Sequence, residues 1–397
     1  MKRYSLYSIA VVLLIALVWV GCSMDRGPLA PNTTLNTIGR AAKPAGVEQF
    51  VAGEILVKFK PAASGAQGEE IPGIGVRVVR VNPGQEHAEV ARFKNNPNVE
   101  YAEVNGIWEA FHETGETLVP NDTYFNGYQW NMKKIDGPGA WFITQGSSSV
   151  RIAILDTGIK SSHEDLGGKV VSSKNFTTSK TVEDKYGHGT HVAGIAGAVT
   201  NNGKGVAGVG FNCSLMNGKV LGDNGSGAWS WVASGITWAA DNGAHVINMS
   251  LGGSSGSETV SVAVDYAWNK GVVLVAAAGN NGTSDPSYPA FYSNVIAVAA
   301  TDQNDNLASF SNFGSWVDVA APGVDILSTY IRYRPPYTFA SGTSMASPHV
   351  AGLAGLLASQ GKGNTNIRAA IETTTDNAGS YPIANGRINA HRAVDVP

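Results

Sequence analysis

Between residues 150 and 300 the chain shows one pattern several times: a short, largely apolar run, then a longer segment with helical spacing. The runs are Val150 to Leu155, Leu215 to Val220, His245 to Met249, Gly271 to Ala278 and Val295 to Ala300, and the segments between them include Trp229 to Asn242 and Thr259 to Lys270. A strand with one wet face alternates apolar and polar residues. These runs barely alternate, so both of their faces must be covered. Strands separated by helices, rather than by tight turns, pair in parallel. The pattern therefore predicts an α/β unit of three layers around a mostly parallel sheet. The 48 glycines are interleaved with the apolar runs, which suits tight turns and close backbone approach rather than disorder.

Upstream the periodicity differs. Glu54 to Lys60 alternates like a half-buried strand, Gly75 to Val81 gives a second, Ala88 to Asn95 a short helix, and Asn98 to Asn105 closes the segment. This predicts a small α+β unit over residues 49–112, ferredoxin-like in arrangement, near the size limit of independent stability. Before it, Lys2 and Arg3 precede an apolar run, Ile9 to Val20, that is too short to span a bilayer, so residues 1–21 read as an export signal. Gly21-Cys22-Ser23 resembles a lipoprotein cleavage box, although Trp19 stands where Leu is usual. The expected location is outside the cell, with Cys22 either lipidated as an envelope anchor or lost by ordinary cleavage. Residues 22–48, rich in Pro, Thr, Asn, Gly and Ala, read as a tether, and 113–119 as an accessible processing linker before the larger unit at 120–397. No further module is expected after the last helix. With two cysteines, no disulfide framework can be built, and Cys213 reads as a small core residue. A net charge of −3 gives no basic footprint, which sets nucleic acid aside as a partner.

Three motifs carry chemistry. The first apolar run ends in Asp156-Thr-Gly158. A histidine between glycines opens Gly187-His188-Gly-Thr-His191-Val-Ala-Gly194. Ser344, in Ser341-Gly-Thr-Ser-Met-Ala346, opens a helix that is apolar all round through Leu357, with Pro348 placed in or near its first turn. A serine hydroxyl needs a base to take its proton, a neutral imidazole suits that task near neutral pH, and a carboxylate fixes the imidazole's tautomer. A helix N-terminus favours developing negative charge at Ser344. Asn280, at the end of another buried run, offers an amide donor for an oxyanion. His163, His191, His245 and His349 read as packing or hydrogen-bonding residues.

The order Asp, His, Ser within these motifs resembles that of the subtilisin-like serine proteases, and it does so from about Pro120 to the C-terminus. The likeness is greatest to the thermitase branch, through Val119 to Phe125, Val199 to Val206 and Ala299 to Asn306. It implies a monomeric, secreted serine endopeptidase in which Asp156, His188 and Ser344 form the triad and Asn280 binds the oxyanion. The upstream unit, ending Pro97 to Glu103, is similar to the family's propeptide, which implies a self-processing zymogen with an intramolecular inhibitor and folding aid. Calcium is implied as a structural ion on the side chains of Asp122, Asp165 and Asn202 and the carbonyls of Val199, Lys204 and Val206. A second thermitase-type site is not expected, because Asn175 to Lys180 lacks its acidic cluster, while Asp318 with the carbonyls of Ala290, Tyr292 and Val295 is a weaker candidate. The polypeptide substrate would be held as an added strand between Gly225-Ser226-Gly227 and Ser250-Leu251-Gly252. Ala277, Ala278 and Gly279 would line its first pocket, and Trp229, Val232 and Leu251 a pocket further upstream, favouring cleavage after large apolar or aromatic residues with broad tolerance. A catalytically silent peptide-binding scaffold is the alternative from another class, and an esterase or ligase on the same machinery is a third.

Overall fold

The computed structural model describes residues 50–61, 67–106, 117–377 and 381–396. The export signal, Cys22, the 22–48 tether and most of the 113–119 linker lie outside them. The chain divides into two compact units between His112 and Glu113.

The first unit contains strands β1 (Phe50–Phe59), β2 (Glu69–Ile71) and β3 (Val76–Arg80), helix α1 (Glu86–Lys94) and strand β4 (Val99–Gly106). The strands form one antiparallel sheet in the order β2-β3-β1-β4, the order of a ferredoxin-like arrangement, with one helix among the described residues. Alternate residues of β1 and β3, among them Ile55, Val57 and Val79, face Val90 and Phe93 of α1. Where the β1–β4 register slips, the freed Gly53 N–H donates to the buried Glu86 carboxylate at 2.7 Å.

The second unit begins with three short helices, α2 (Phe125–Tyr128), α3 (Trp130–Lys134) and α4 (Gly137–Ile143). Then come β5 (Arg151–Asp156), β6 (Val170–Asn175), α5 (His188–Gly197), β7 (Ser214–Lys219), α6 (Trp229–Asp241), β8 (Val246–Met249), α7 (Glu258–Asn269), β9 (Val273–Ala277) and β10 (Val295–Thr301). β11 (Val319–Pro322), the antiparallel pair β12 (Ile326–Thr329) and β13 (Tyr337–Ala340), and helices α8 (Thr343–Ser359), α9 (Asn364–Thr373) and α10 (Ala390–Asp395) complete it. Seven strands form one parallel sheet in the order β11-β10-β9-β8-β5-β7-β6.

Each of the apolar runs is an inner strand of this sheet, and consecutive side chains go to opposite cores. Ile152, Ile154, Val273 and Val275 pack with Val350 and Leu353 of α8, whereas Ala153, Leu155 and Leu274 pack with Ile236 of α6 and Val264 of α7. That is the three-layer arrangement the runs predict. From β5 the chain goes to β6 and β7 on one side and then crosses to β8 and onward on the other. This reversal opens a crevice at the carboxyl ends of the central strands, where such sheets place their ligands.

Candidate active site

Asp156 is the last residue of β5 and is fully buried. Its Oδ1 accepts from Thr157 N at 2.7 Å and is joined to His188 Nδ1 at 2.8 Å. His188 is the first residue of α5, and the glycines beside it are required by space. Gly187 has φ 107°, and a Cβ on Gly189 would overlap the Gly158 carbonyl, so only glycine lets the helix start against the β5 turn. Burial works against charge on His188, but the Asp156 carboxylate, through its charge and its hydrogen bond, and then Asp184 outweigh it and raise the imidazole pKa. His191, one turn on, is buried with Nε2 3.0 Å from Thr338 O, and burial pushes its pKa down to about 4. It is a neutral structural residue, as is His349, also near 4 and buried against Met345 O.

Asp184 was not singled out by the sequence. It is a buried carboxylate that accepts from Thr157 Oγ1, Tyr186 N and Gly187 N on Oδ1, and from Thr190 N and Oγ1 on Oδ2, at 2.7–2.9 Å. Thr157 Oγ1 in turn accepts from Gly189 N at 2.9 Å. One carboxylate thus ties the β5 turn to the first turn of α5.

Ser344 is the second residue of α8 and the only one from Thr343 to Leu357 that is not buried. Its main-chain N–H belongs to the first turn, which has no helical acceptor. Asn280 is oriented by its oxygen: Oδ1 accepts from Thr343 N at 2.8 Å and Thr343 Oγ1 at 2.9 Å, and Gly279 N donates to Thr343 Oγ1 at 3.1 Å. With its oxygen engaged, Asn280 presents Nδ2 as donor beside the start of α8. The Ser344 hydroxyl lies 3.3 Å from the Ser250 carbonyl, on the second of the two predicted backbone edges.

Three cavities adjoin these residues. One of about 460 Å³ is lined by Gly225, Ser226, Gly227, Trp229, Val232 and Leu251. Another of about 510 Å³ holds Ser344 and Asn280 together with Ala277, Gly279 and Asn312. Ala278 departs from the predicted pocket: just past the end of β9 it is fully buried and packs in the core with residues of α6 and α7, while Ala277 and Gly279 line the cavity. The third cavity, about 300 Å³, was not anticipated. Tyr186, His188, Tyr330, Tyr333, Phe339 and Met345 line it, and Tyr330 stacks on Tyr333 at 5.4 Å.

The predicted calcium ligands come together elsewhere in the unit. Asp165 is fully buried and Asp122 nearly so. Asn201 N donates to Asp122 Oδ2 at 2.7 Å, while Asp122 Oδ1 is buried without a partner. Asp165 receives Asn202 Nδ2 at 2.8 Å and Val206 N at 2.7 Å. Burial, with Asp122 close by, lifts the Asp165 pKa to about 6. Among the described residues no hydrogen bond from outside regular structure ends on the carbonyls of Val199, Lys204 or Val206. Two buried carboxylates, an orphaned oxygen and three free carbonyls fit a hard dication.

Asp318 is different: Arg368 donates to its Oδ1 at 2.9 Å and to Ser293 O at 2.6 Å, so a guanidinium stands at the weaker cation site. The Asn175 loop satisfies itself, with Thr177 N donating to Asn175 Oδ1 at 2.9 Å and Asn175 Nδ2 to Ser179 O at 2.7 Å.

The subtilase family profile matches residues 147–389, and that of the fervidolysin N-terminal prodomain matches 36–105. A thermophilic serine proteinase of Bacillus sp. (strain AK1) is 48% identical over 87% of this chain and 88% of its own. Thermitase of Thermoactinomyces vulgaris is 57% identical over 70% of this chain and 99% of its own. A solved protease structure from Pseudoalteromonas arctica PAMC 21717 superimposes with a TM-score of 0.63 at 33% identity, covering 70% of this chain and 99% of that one. The chain is a subtilisin-like serine endopeptidase of the subtilase family, carrying an N-terminal prodomain.

Proposed function

We propose that Ser344 attacks the peptide carbonyl of a polypeptide substrate held between Gly225–Gly227 and Ser250–Gly252. His188 takes the hydroxyl proton as the new C–O bond forms, and Asp156 holds the imidazole by its Nδ1 and steadies the imidazolium. The tetrahedral oxyanion is met by Asn280 Nδ2 and the Ser344 main-chain N–H. His188 then gives the proton to the amine as the C–N bond breaks, leaving an acyl group on Ser344. Water, deprotonated by the same imidazole, releases the acid. The arrangement that carries this reading is the 2.8 Å Asp156–His188 pair together with an Asn280 whose oxygen is tied down so that its N–H groups serve the Ser344 turn.

The acyl half of the substrate meets apolar space on Ala277 and Gly279 and, further up, on Trp229, Val232 and Leu251, which supports cleavage after large apolar or aromatic residues. The amine leaves past its proton donor, His188, into the cavity walled by Tyr330 and Tyr333. Calcium, when bound, would be held by Asp122, Asp165, Asn202 and the carbonyls of Val199, Lys204 and Val206. It would tie the segment before α2 to the loop after α5.

The protein is exported and acts as a monomer outside the cell, with Cys22 as a lipid anchor where it survives cleavage. Residues 49–112 inhibit the unit at 120–397 until the 113–119 linker is cut by Ser344 chemistry. Expression of the precursor and of Ser344→Ala, with intact mass and N-terminal sequencing, tests this. Loss of the N-terminal unit by the wild type alone is the expected result, and identical processing of both would refute self-cleavage. A wild type that a serine-directed fluorophosphonate fails to label would instead be the silent scaffold.

A further inference from the structure

Pro348 lies inside α8, four residues after Ser344. In an α-helix the N–H at that position would donate to the Ser344 carbonyl, and proline has none. The carbonyl of the nucleophile is thus deprived of its helical partner, in a helix whose neighbouring residues are all buried. An unpaired buried carbonyl is costly and rare. Here the donor comes from another element: Ser250 Oγ–H donates to Ser344 O at 2.8 Å.

The Ser250 hydroxyl has one proton, and its direction is set. Ser347 Oγ–H donates to Asn248 Oδ1 at 2.7 Å, and Asn248 Nδ2–H donates to Ser250 Oγ at 3.0 Å, so Ser250 is left to donate onward to Ser344. Asn248, Ser250 and Ser347 are all buried. The chain of bonds starts on α8, crosses to the carboxyl end of β8 and returns to α8 at the nucleophile. Donors and acceptors all point one way, so each bond polarises the next. Ser250 also offers its own carbonyl to the Ser344 hydroxyl, and Leu251 and Gly252, which follow it, form the substrate-holding edge.

We infer that the Ser250 hydroxyl is a positioning residue for catalysis: it substitutes for the helical donor that Pro348 removes and so fixes the Ser344 turn against the edge that holds the substrate. Its contribution falls on the reacting geometry and not on substrate affinity, since its hydroxyl is spent on the Ser344 carbonyl while the edge beside the cavity holds substrate through its main chain. The inference rests on the protease function proposed above.

The test is a cycle of Ser250→Ala, Pro348→Ala and the double variant in the full-length protein after processing. Active sites are counted by fluorophosphonate labelling, and kcat and KM are measured on a peptide anilide. Ser250→Ala is expected to lower kcat by about tenfold with KM changed less than about twofold, the size of effect when a reacting group loses its alignment. Pro348→Ala restores a main-chain N–H opposite the Ser344 carbonyl, so in that background the same change should cost less than about threefold. Equal losses in both backgrounds, or a loss carried by KM, overturn the inference. Should Ser250→Ala fail to fold, a folded and active double variant supports it, and failure of both overturns it. A wild type without turnover would instead refute the protease function, whereas a Ser250→Ala enzyme as fast as an active wild type refutes only the positioning role.

Discussion

Calcium gives the sharpest quantitative expectation. Asp122 and Asp165 are carboxylates driven out of water, with pKa values raised first by burial, Asp165 to about 6. No basic side chain forms an ion pair with either among the described residues. A dication bound only by the folded state adds stability that grows by about 1.4 kcal/mol for each tenfold rise in free ion per site, once the ion exceeds its dissociation constant. For a unit of this size that is a rise in melting midpoint of roughly 2–3 °C per decade of calcium. One such site is expected, because Arg368 stands at the second candidate and the Asn175 loop closes on itself. The measurement is thermal unfolding of Ser344→Ala, which cannot digest itself, at neutral pH in calcium buffered from traces to millimolar. The slope should correspond to one ion, vanish in Asp165→Asn, and not be reproduced by magnesium, which resists giving up its waters for such a cage. A midpoint indifferent to calcium refutes the site, and a slope of two ions refutes the role given to Arg368.

Activity should rise with pH along a limb set by His188, because the base works only when neutral and its pKa is raised. Asp184→Asn removes one of the charges that raise it, so the limb of kcat/KM should move to lower pH; it also loses charge-assisted bonds, costing ~2–4 kcal/mol in urea unfolding, and an unmoved limb would contradict the assignment. Asp318 keeps a pKa of about 6 through burial even beside Arg368, so Arg368→Met should be tolerated below that pH, where the carboxyl carries a proton. Above it the penalty should grow to about 3 kcal/mol as the charge is left alone, and equal penalties at pH 5 and pH 8 would be evidence against the pair. Tyr333→Ala should lower kcat/KM several-fold for peptides with an aromatic residue just after the scissile bond while leaving methyl-ester hydrolysis unchanged. Equal effects on both substrates would remove the cavity from the leaving-group path.

How much of this was legible follows from where each constraint lies. The inner strands announced themselves because burial on both faces keeps them largely apolar, with Asn217 and Lys219 of β7 and Asn248 of β8 as buried exceptions, whereas β6, an edge strand with a wet face, alternates and carries Ser172, Ser173 and Lys174. The triad motifs were legible because buried runs end there and only glycine fits around His188. Ala278 lies past the end of β9, and its place in the core with Leu274 and Ala276 follows from how the chain leaves the strand, which the sequence does not state. Arg368 and Asp184 left no local signal, since their roles depend on partners that the fold brings together: Asp318 is 50 positions from Arg368, and Thr157 is 27 from Asp184. Ser250 lies between these cases. A proline within a helix states that the carbonyl four residues earlier lacks its donor, and at Ser344 that carbonyl belongs to the nucleophile. The need for an outside donor could therefore be read from Pro348 alone, but its identity could not, because Ser250 reaches Ser344 across 94 residues and only through the pairing of β8 within the sheet.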